Sequence, residues 1–480
     1  MRTRAHGGGM LKHGVARIHT TTRKPHATGA TPLGLAATVR SLPPSATLRM
    51  NELVAARRGA GNEIIHLGFG QASFPLSPQL RQAIADAASQ TAYPPVLGLP
   101  ALRAAIAEYL GRTRGLAVAA DQIAVAPGSK PLIYALVQVL DGDVLLPVPS
   151  WVSYGPQVRL AGKRVIPVAT DPDDHLGLTP EALGHAIARA RHDGADPRIL
   201  VVNSPSNPTG GMRAPEGVEA LALTARAHGL ALISDEIYAE LAHGWREHVS
   251  PARFYPEGTI VTGGLSKAFS AGGWRLGYAA VPGGDAGRRL ISAVRALASE
   301  IWSGTAVPIQ AAAVAAYQPD PELDVYVRRS ARLHGHIVAR FQAGLAEASV
   351  VCARPAGAFY LYPDFARWRE QLSERGITTS AALAHHLLDE WGIATLPASE
   401  FGEAPKALRL RLATSLLGEP DGLAGTAREE ALWDLLARAD GLGDGTASED
   451  GARTPGGVLA LPALDRAIGR FHDFVATLRD

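Results

Sequence analysis

Apolar runs at 123–126, 144–148, 165–168, 199–202 and 230–233 punctuate the middle of the chain, and the stretches between several of them place apolar residues at helical spacing. This alternation predicts a mostly parallel sheet sandwiched by helices, because parallel neighbours need a crossover and a helix makes one while burying an apolar face. Upstream, the residues after Pro100 put Leu102, Ile106, Tyr109 and Leu110 on one helical face, and the run 64–67 reads as a strand ending in the turn Gly68-Phe69-Gly70. Beyond Pro319-Asp320-Pro321 the pattern turns more helical and charged, with one strand at 357–362. The fold class that follows is α/β, with a smaller α+β domain beside the main sheet.

Composition sets the limits. A chain of 480 residues with 46% apolar content can bury a large core. The expected organisation is a disordered basic tail over 1–40, an N-terminal arm over 41–70 that belongs with the small domain, a large domain over 71–319, and a small domain over 320–480. The tail has no acid, the first being Glu52, and the Gly- and Asp-rich segment 440–458 reads as a disordered insertion in the small domain. Lys plus Arg (47) nearly balances Asp plus Glu (45), so there is no global positive field and no nucleic-acid partner is expected. No apolar run reaches membrane-spanning length, so no membrane association is expected either. One cysteine, Cys352, and no Cys/His ligand cluster fit a reducing cytoplasm and no bound metal.

The densest chemistry lies in 264–277. Lys267 follows a β-rich run, and Arg275 comes eight residues later amid glycines and serines. A lysine is a Schiff-base nucleophile only where nearby cations and low polarity keep its neutral amine accessible, and a following arginine lowers its pKa while holding an anion. Gly128-Ser129-Lys130 sits where a strand turns into a helix, so its amides and the helix N-terminus form a natural phosphate cradle. Asp235 follows an apolar strand, and the C-terminal edge of a strand is where α/β folds put ligands.

Gly264-Leu265-Ser266-Lys267 followed by Gly272-Gly273-Trp274-Arg275-Leu276-Gly277 resembles the lysine-site signature of class I aminotransferases, the fold-type I enzymes that use pyridoxal 5'-phosphate. Three more segments resemble that family's motifs in its chain order: Asn203-Ser204-Pro205-Ser206-Asn207-Pro208-Thr209-Gly210, Ser234-Asp235-Glu236-Ile237-Tyr238 and Arg409-Leu410-Arg411-Leu412-Ala413-Thr414-Ser415. The resemblance covers roughly residues 41–437. It implies the fold-type I architecture, pyridoxal 5'-phosphate as cofactor, and Lys267 as the catalytic residue. Asp235 then pairs with the pyridine nitrogen and keeps it protonated, which makes the ring a stronger electron sink. Asn207 and Tyr238 hydrogen-bond the phenolic oxygen, Trp151 stacks on the ring, and Gly128, Ser129, Lys130, Ser266 and Arg275 surround the phosphate. Tyr93, five residues before Gly98, matches a tyrosine that reaches the phosphate of a neighbouring subunit, so the resemblance also implies a homodimer.

For the substrate, the resemblance implies that Gly70 lies beside the carboxylate, near Trp151 and Asn207, and that Arg409 is its two-pronged clamp. Arg411 is the rival, read as turned to the other face of the strand. Two departures stand out. Gly264 occupies a place where many relatives carry Ser or Thr for the phosphate, with Ser266 as the substitute, and Gly70-Gln71-Ala72-Ser73-Phe74 stands in place of Gly-Glu-Pro-Asp-Phe.

Pro44-Ser45-Ala46-Thr47 and Lys130 resemble the features with which a bacterial and plant branch, the aspartate and prephenate aminotransferases, holds the distal carboxylate through Ser45, Thr47 and Lys130. The expected function is ping-pong transamination from an acidic L-amino acid, aspartate or glutamate, to a 2-oxo acid. Lyases, decarboxylases, oxidases and aminotransferases for non-acidic substrates share the scaffold, since cofactor motifs do not settle which Cα bond breaks. A transcription regulator of this fold needs a helix-turn-helix module, for which residues 1–40 are too short and too glycine-rich.

Overall fold

The computed structural model describes residues 33–40, 42–171, 176–442 and 459–479. Most of the expected tail (1–32) and of the expected insertion (443–458) lies outside the described residues. Residues 33–40 are exposed and contain one helical turn, Ala37–Arg40. The first residues of the expected insertion are ordered: Ala439–Gly441 forms a 3-10 turn, and Asp440 Oδ2 accepts from Arg329 Nε at 2.9 Å. Among the described residues no helix is long and apolar enough to cross a membrane.

From Pro43 onward the described residues form one unit. Its strands are β1 (Ile65–His66), β2 (Ile123–Ala126), β3 (Asp143–Val148), β4 (Val165–Ala169), β5 (Pro197–Asn203), β6 (Ala231–Asp235), β7 (Thr259–Gly264), β8 (Gly277–Ala280), β9 (Tyr360–Leu361), β10 (Ile393–Ala394), β11 (Leu396–Pro397) and β12 (Leu410–Ala413). Seven of them make the main sheet in the order β2-β8-β7-β6-β5-β3-β4. The ladders from β7 through β6, β5 and β3 to β4 are parallel, and β8 runs antiparallel to both β7 and β2. The strands read as unbroken apolar runs because both faces are covered. Leu145, Leu200 and Leu232 pack in one cluster with Leu183, Ile187, Leu221 and Ala222 of the helices Pro180–His192 and Pro215–Ala227. Val144, Leu146, Val201 and Ile233 pack in another with Leu132, Ile133 and Leu136 of the helix Ser129–Val139 and Val294 of Gly284–Ile301.

Two small sheets complete the unit. β1 pairs with β10 in parallel, and β12 lies between β11 and β9, antiparallel to both. The expected helical face of 102–110 is realised in Pro100–Arg114, with Leu102, Ile106, Tyr109 and Leu110 all buried. The helix between β3 and β4, Tyr154–Leu160, begins only after a loop in which the Ser150 amide bonds the Phe401 carbonyl at 3.1 Å. That leaves the Trp151 ring at the edge of a cavity rather than in a helix face.

Candidate active site

A cavity of about 320 Å³ opens at the C-terminal ends of the parallel strands. Asn203 ends β5, Asp235 ends β6, the loop after β7 brings Ser266 and Lys267, and Ser129 and Lys130 open the helix after β2. From the small sheets come Tyr360 of β9 and Arg411 of β12, and from the turn after β1 come Phe69 and Gly70. Ser45 and Thr47 line the remaining side at the start of the helix Ala46–Gly59, where the Ser45 side chain makes no capping hydrogen bond.

Lys267 Nζ donates to the Gly70 carbonyl at 2.7 Å. Desolvation first, then Arg411 and Arg275, lower its pKa from 10.5 to about 8, with Asp235 pulling the other way. A neutral amine is therefore accessible near physiological pH, as a nucleophile or proton carrier needs. Glycine at 70 also leaves room for Tyr360: a Cβ there would lie 2.2 Å from the Tyr360 hydroxyl.

Asp235 is buried and has no cation paired with it among the described residues. Tyr154 OH donates to its Oδ2 at 2.7 Å, and Thr262 Oγ1 and the Ile237 amide reach Oδ1 at 3.3 and 3.4 Å. These bonds favour the carboxylate, but burial outweighs them and the pKa rises from 3.8 to about 6. Its neighbour Glu236, just past the end of β6, is instead paired with Arg114 at 3.3 Å.

This has a consequence for the cofactor-free protein. A folded pKa above the unfolded one means the native state binds the proton more tightly, so stability falls as pH rises from about 4 to about 6 and stays low above that. A shift of this size corresponds to a penalty on the order of a few kcal/mol at neutral pH. Asp235→Asn is accordingly expected to raise the unfolding midpoint of the cofactor-free protein by a few degrees at pH 7.5, the gap narrowing toward pH 4.5. Calorimetric scans across that range check it, and a gap that is absent or independent of pH refutes it.

The opposite end of the cavity is cationic. Arg275 holds a left-handed backbone (φ 53°), and its guanidinium donates to the Gly272 and Pro127 carbonyls at 3.0 and 3.4 Å. Gly128, at φ 100°, lets that guanidinium lie against the helix start, since a Cβ would sit 2.4 Å from Arg275 Nη2. Ser129, Ser266 and Arg275 thus surround one small space in front of a helix N-terminus, where an anion is favoured. Lys130 Nζ lies 5.0 Å from the Trp151 ring centroid. The glycine at 264 has a steric reason: a Cβ there would meet the Leu276 carbonyl at 2.6 Å, so Ser or Thr requires the loop to shift.

The expectation for Arg409 is corrected. Its guanidinium is taken by Asp364 Oδ2 at 2.8 Å and Glu403 Oε1 at 3.1 Å, and it does not line the cavity. Arg411 does line it, with 1% exposure and no carboxylate partner among the described residues. Arg411 Nη2 donates to the Gly68 carbonyl at 2.6 Å, Nη1 reaches Asn207 Oδ1 at 3.5 Å, and Nε has no partner in the described structure. Residues two apart on a strand share a face, so alternation cannot separate 409 from 411. Their depth along β12 and the two acids around Arg409 do.

Trp151, Asn207, Tyr238, Ser266 and Lys130 fall around the cavity with Lys267 and Asp235. Tyr93 does not: its side chain is fully exposed on the single chain. The substituted residues at 71–73 do not line the cavity either; Ala72 packs with Ile237 and Tyr238, and Ser73 Oγ donates to the Ser415 carbonyl at 2.8 Å. Sequence reasoning missed Tyr154, signalled only by its place three residues after Trp151, and Tyr360, hidden inside an apolar strand pattern.

Residues 62–416 match the protein family described as aminotransferase class I and II. The chain belongs to this family. It is 37% identical to the aspartate aminotransferase of Geobacillus stearothermophilus, over 80% of this chain and 95% of that protein. With the aspartate/prephenate aminotransferase of Thermus thermophilus it shares 34%, over 73% of this chain and 93% of that one. The solved aspartate aminotransferase from Thermus thermophilus with maleate superposes with a TM-score of 0.72 at 32% identity, covering 84% of this chain and 98% of that chain. This aminotransferase therefore has the fold-type I architecture and uses pyridoxal 5'-phosphate. The residues fit that group: a buried carboxylate lacking a cation at one end, a lysine of depressed pKa between, and a glycine-fronted arginine at the other. When bound, the cofactor supplies the electron sink that lets a bond at the amino acid's Cα break.

Proposed function

We propose that this aminotransferase moves the amino group of an acidic L-amino acid, aspartate or glutamate, to a 2-oxo acid in two alternating halves, as a homodimer in the cytoplasm. The observation that carries the reading is Arg411, a buried guanidinium facing the lysine's cavity with an unpartnered Nε. Such a cation calls for a carboxylate from outside. In this reading Arg411, with Asn207 beside it, holds the α-carboxylate. Lys267 Nζ takes the proton from Cα and later returns one, Asp235 faces the pyridine nitrogen, and Tyr238 and Asn207 face the phenolic oxygen. Ser129, Ser266 and Arg275 hold the phosphate in front of Gly128, and Trp151 covers the ring.

The distal carboxylate falls to Ser45, Thr47 and Lys130, which line the same cavity and bring one positive charge to it. The names of the relatives, aspartate and aspartate/prephenate aminotransferases, agree with an acidic substrate. An exposed aromatic at 93 agrees with a surface that a second subunit covers, from which Tyr93 reaches the neighbouring phosphate. The division into a cofactor-holding body over 71–319 and a smaller domain over 320–480 with 41–70 puts Lys267 and Asp235 on the first and Arg411, Tyr360 and Gly70 on the second.

A charge-assisted contact is worth about 1.5–3 kcal/mol. Lys130→Met is thus expected to lower kcat/KM for aspartate about tenfold or more while sparing alanine, measured with 2-oxoglutarate as acceptor. Equal losses for both amino acids assign Lys130 to the cofactor instead, and a wild-type preference for apolar or basic amino acids removes the acidic assignment.

A further inference from the structure

Tyr360 is buried in the lining of the cavity and enters none of the roles above. Its hydroxyl lies 2.7 Å from that of Tyr238, and the rings meet nearly perpendicular, at 83°. Arg411 has only donors, so its contact with Asn207 Oδ1 sets that amide's orientation and turns Nδ2 toward the Tyr360 oxygen, at 3.5 Å. The Arg411 guanidinium lies 5.1 Å from the Tyr360 ring centroid. Two phenols sharing one contact have one O–H left over, and the cavity is the polar space it faces. Arg411, Lys267 and Asp235 are the charged groups around the pair.

We propose that Tyr360 is a positioning residue that acts through Tyr238: it donates to the Tyr238 oxygen, and so aims the Tyr238 hydroxyl at the cofactor's phenolic oxygen and strengthens it as a donor. A hydroxyl that accepts one hydrogen bond donates a stronger one, so the two phenols form a chain ending at the cofactor. Arg411 over the Tyr360 ring makes Tyr360 the better donor, which links the cation that receives the carboxylate to the electronics of the ring. The inference rests on the role given to Tyr238 under the proposed function.

The readout is the visible absorbance of the lysine-linked cofactor, titrated with pH. A donor to the phenolic oxygen favours its deprotonated form, so weakening that donor raises the midpoint. Tyr238→Phe is expected to raise it, and Tyr360→Phe to raise it less, by roughly 0.1–0.7 pH unit given strengthening of about 10–30% per bond. The double variant should match Tyr238→Phe alone, because Tyr360 has no route to the cofactor without Tyr238. Phenylalanine keeps both rings and their packing, and an unchanged thermal midpoint of each variant is part of the result. An unmoved midpoint in Tyr360→Phe, or additive shifts in the double variant, overturns the proposal. Absence of any lysine-linked absorbance in the wild type, or no shift in Tyr238→Phe, condemns the underlying reading instead.

Discussion

Lys267→Ala yields a folded protein that still holds the cofactor without a covalent bond, and whose transamination rate falls by about 10⁴ or more. A positioned proton carrier alone is worth about 10²–10⁴, and the covalent tether is lost as well. Folding survives because the native state loses an amine that burial already disfavours as a cation, as its fall to about pKa 8 shows. The other residues proposed to hold the cofactor, Asp235 at one end and Arg275 with Ser129 at the other, are positioned by bonds that do not involve Nζ. Borohydride reduction of the wild type followed by peptide mapping is the check. Label on Lys267 is expected, label on another lysine overturns the assignment, and a variant that turns over within tenfold of the wild type does so too.

Arg411→Leu lowers kcat/KM by about 10²–10³ for every amino acid, mostly through KM, whereas Arg409→Leu changes it by no more than a few fold. Two charge-assisted bonds to a carboxylate total about 3–5 kcal/mol, and each 1.4 kcal/mol is tenfold. Leucine at 411 strands no anion, since no carboxylate among the described residues pairs with that arginine, while leucine at 409 leaves Asp364 and Glu403 without their shared cation. The expected cost of Arg409→Leu is therefore to stability, read as a lower unfolding midpoint, with KM little changed. The opposite pattern, KM raised at 409 and unmoved at 411, returns the clamp to Arg409.

Five strands of the main sheet, β2 to β6, were legible because they are apolar on both faces, and Asn203 and Asp235 close β5 and β6 and open the site, whereas β8, antiparallel to both of its neighbours and only four residues long, was not read. The lysine loop was legible for a chemical reason, since few arrangements besides an anion site place Lys267 and Arg275 among so many small residues. The arginines were not. Both lie on one face of a strand that begins only at Leu410, and what separates them is Asp364, Glu403 and the Gly68 carbonyl, all brought in from distant sequence. Tyr154 and Tyr360 escaped for a related reason: a buried tyrosine reads as core until the partner of its hydroxyl is known, and those partners, Asp235 and Tyr238, lie 81 and 122 residues away. The short β1 shows the same limit, for only Ile65 and His66 enter a ladder, and their partners are Ile393 and Ala394.

That pairing of early and late segments bears on biosynthesis. All seven strands of the main sheet, with Asp235, Lys267 and Arg275, have been made once residue 280 has left the ribosome. Leu67 and Gly68, though translated long before, acquire these bonds only when Arg411 arrives to bond the Gly68 carbonyl and the Ala413 amide to bond that of Leu67. At about 5–20 residues per second the interval from residue 280 to residue 411 is on the order of ten seconds. Asp235, Lys267 and Arg275 on one side of the cavity are thus made well before Tyr360 and Arg411 on the other.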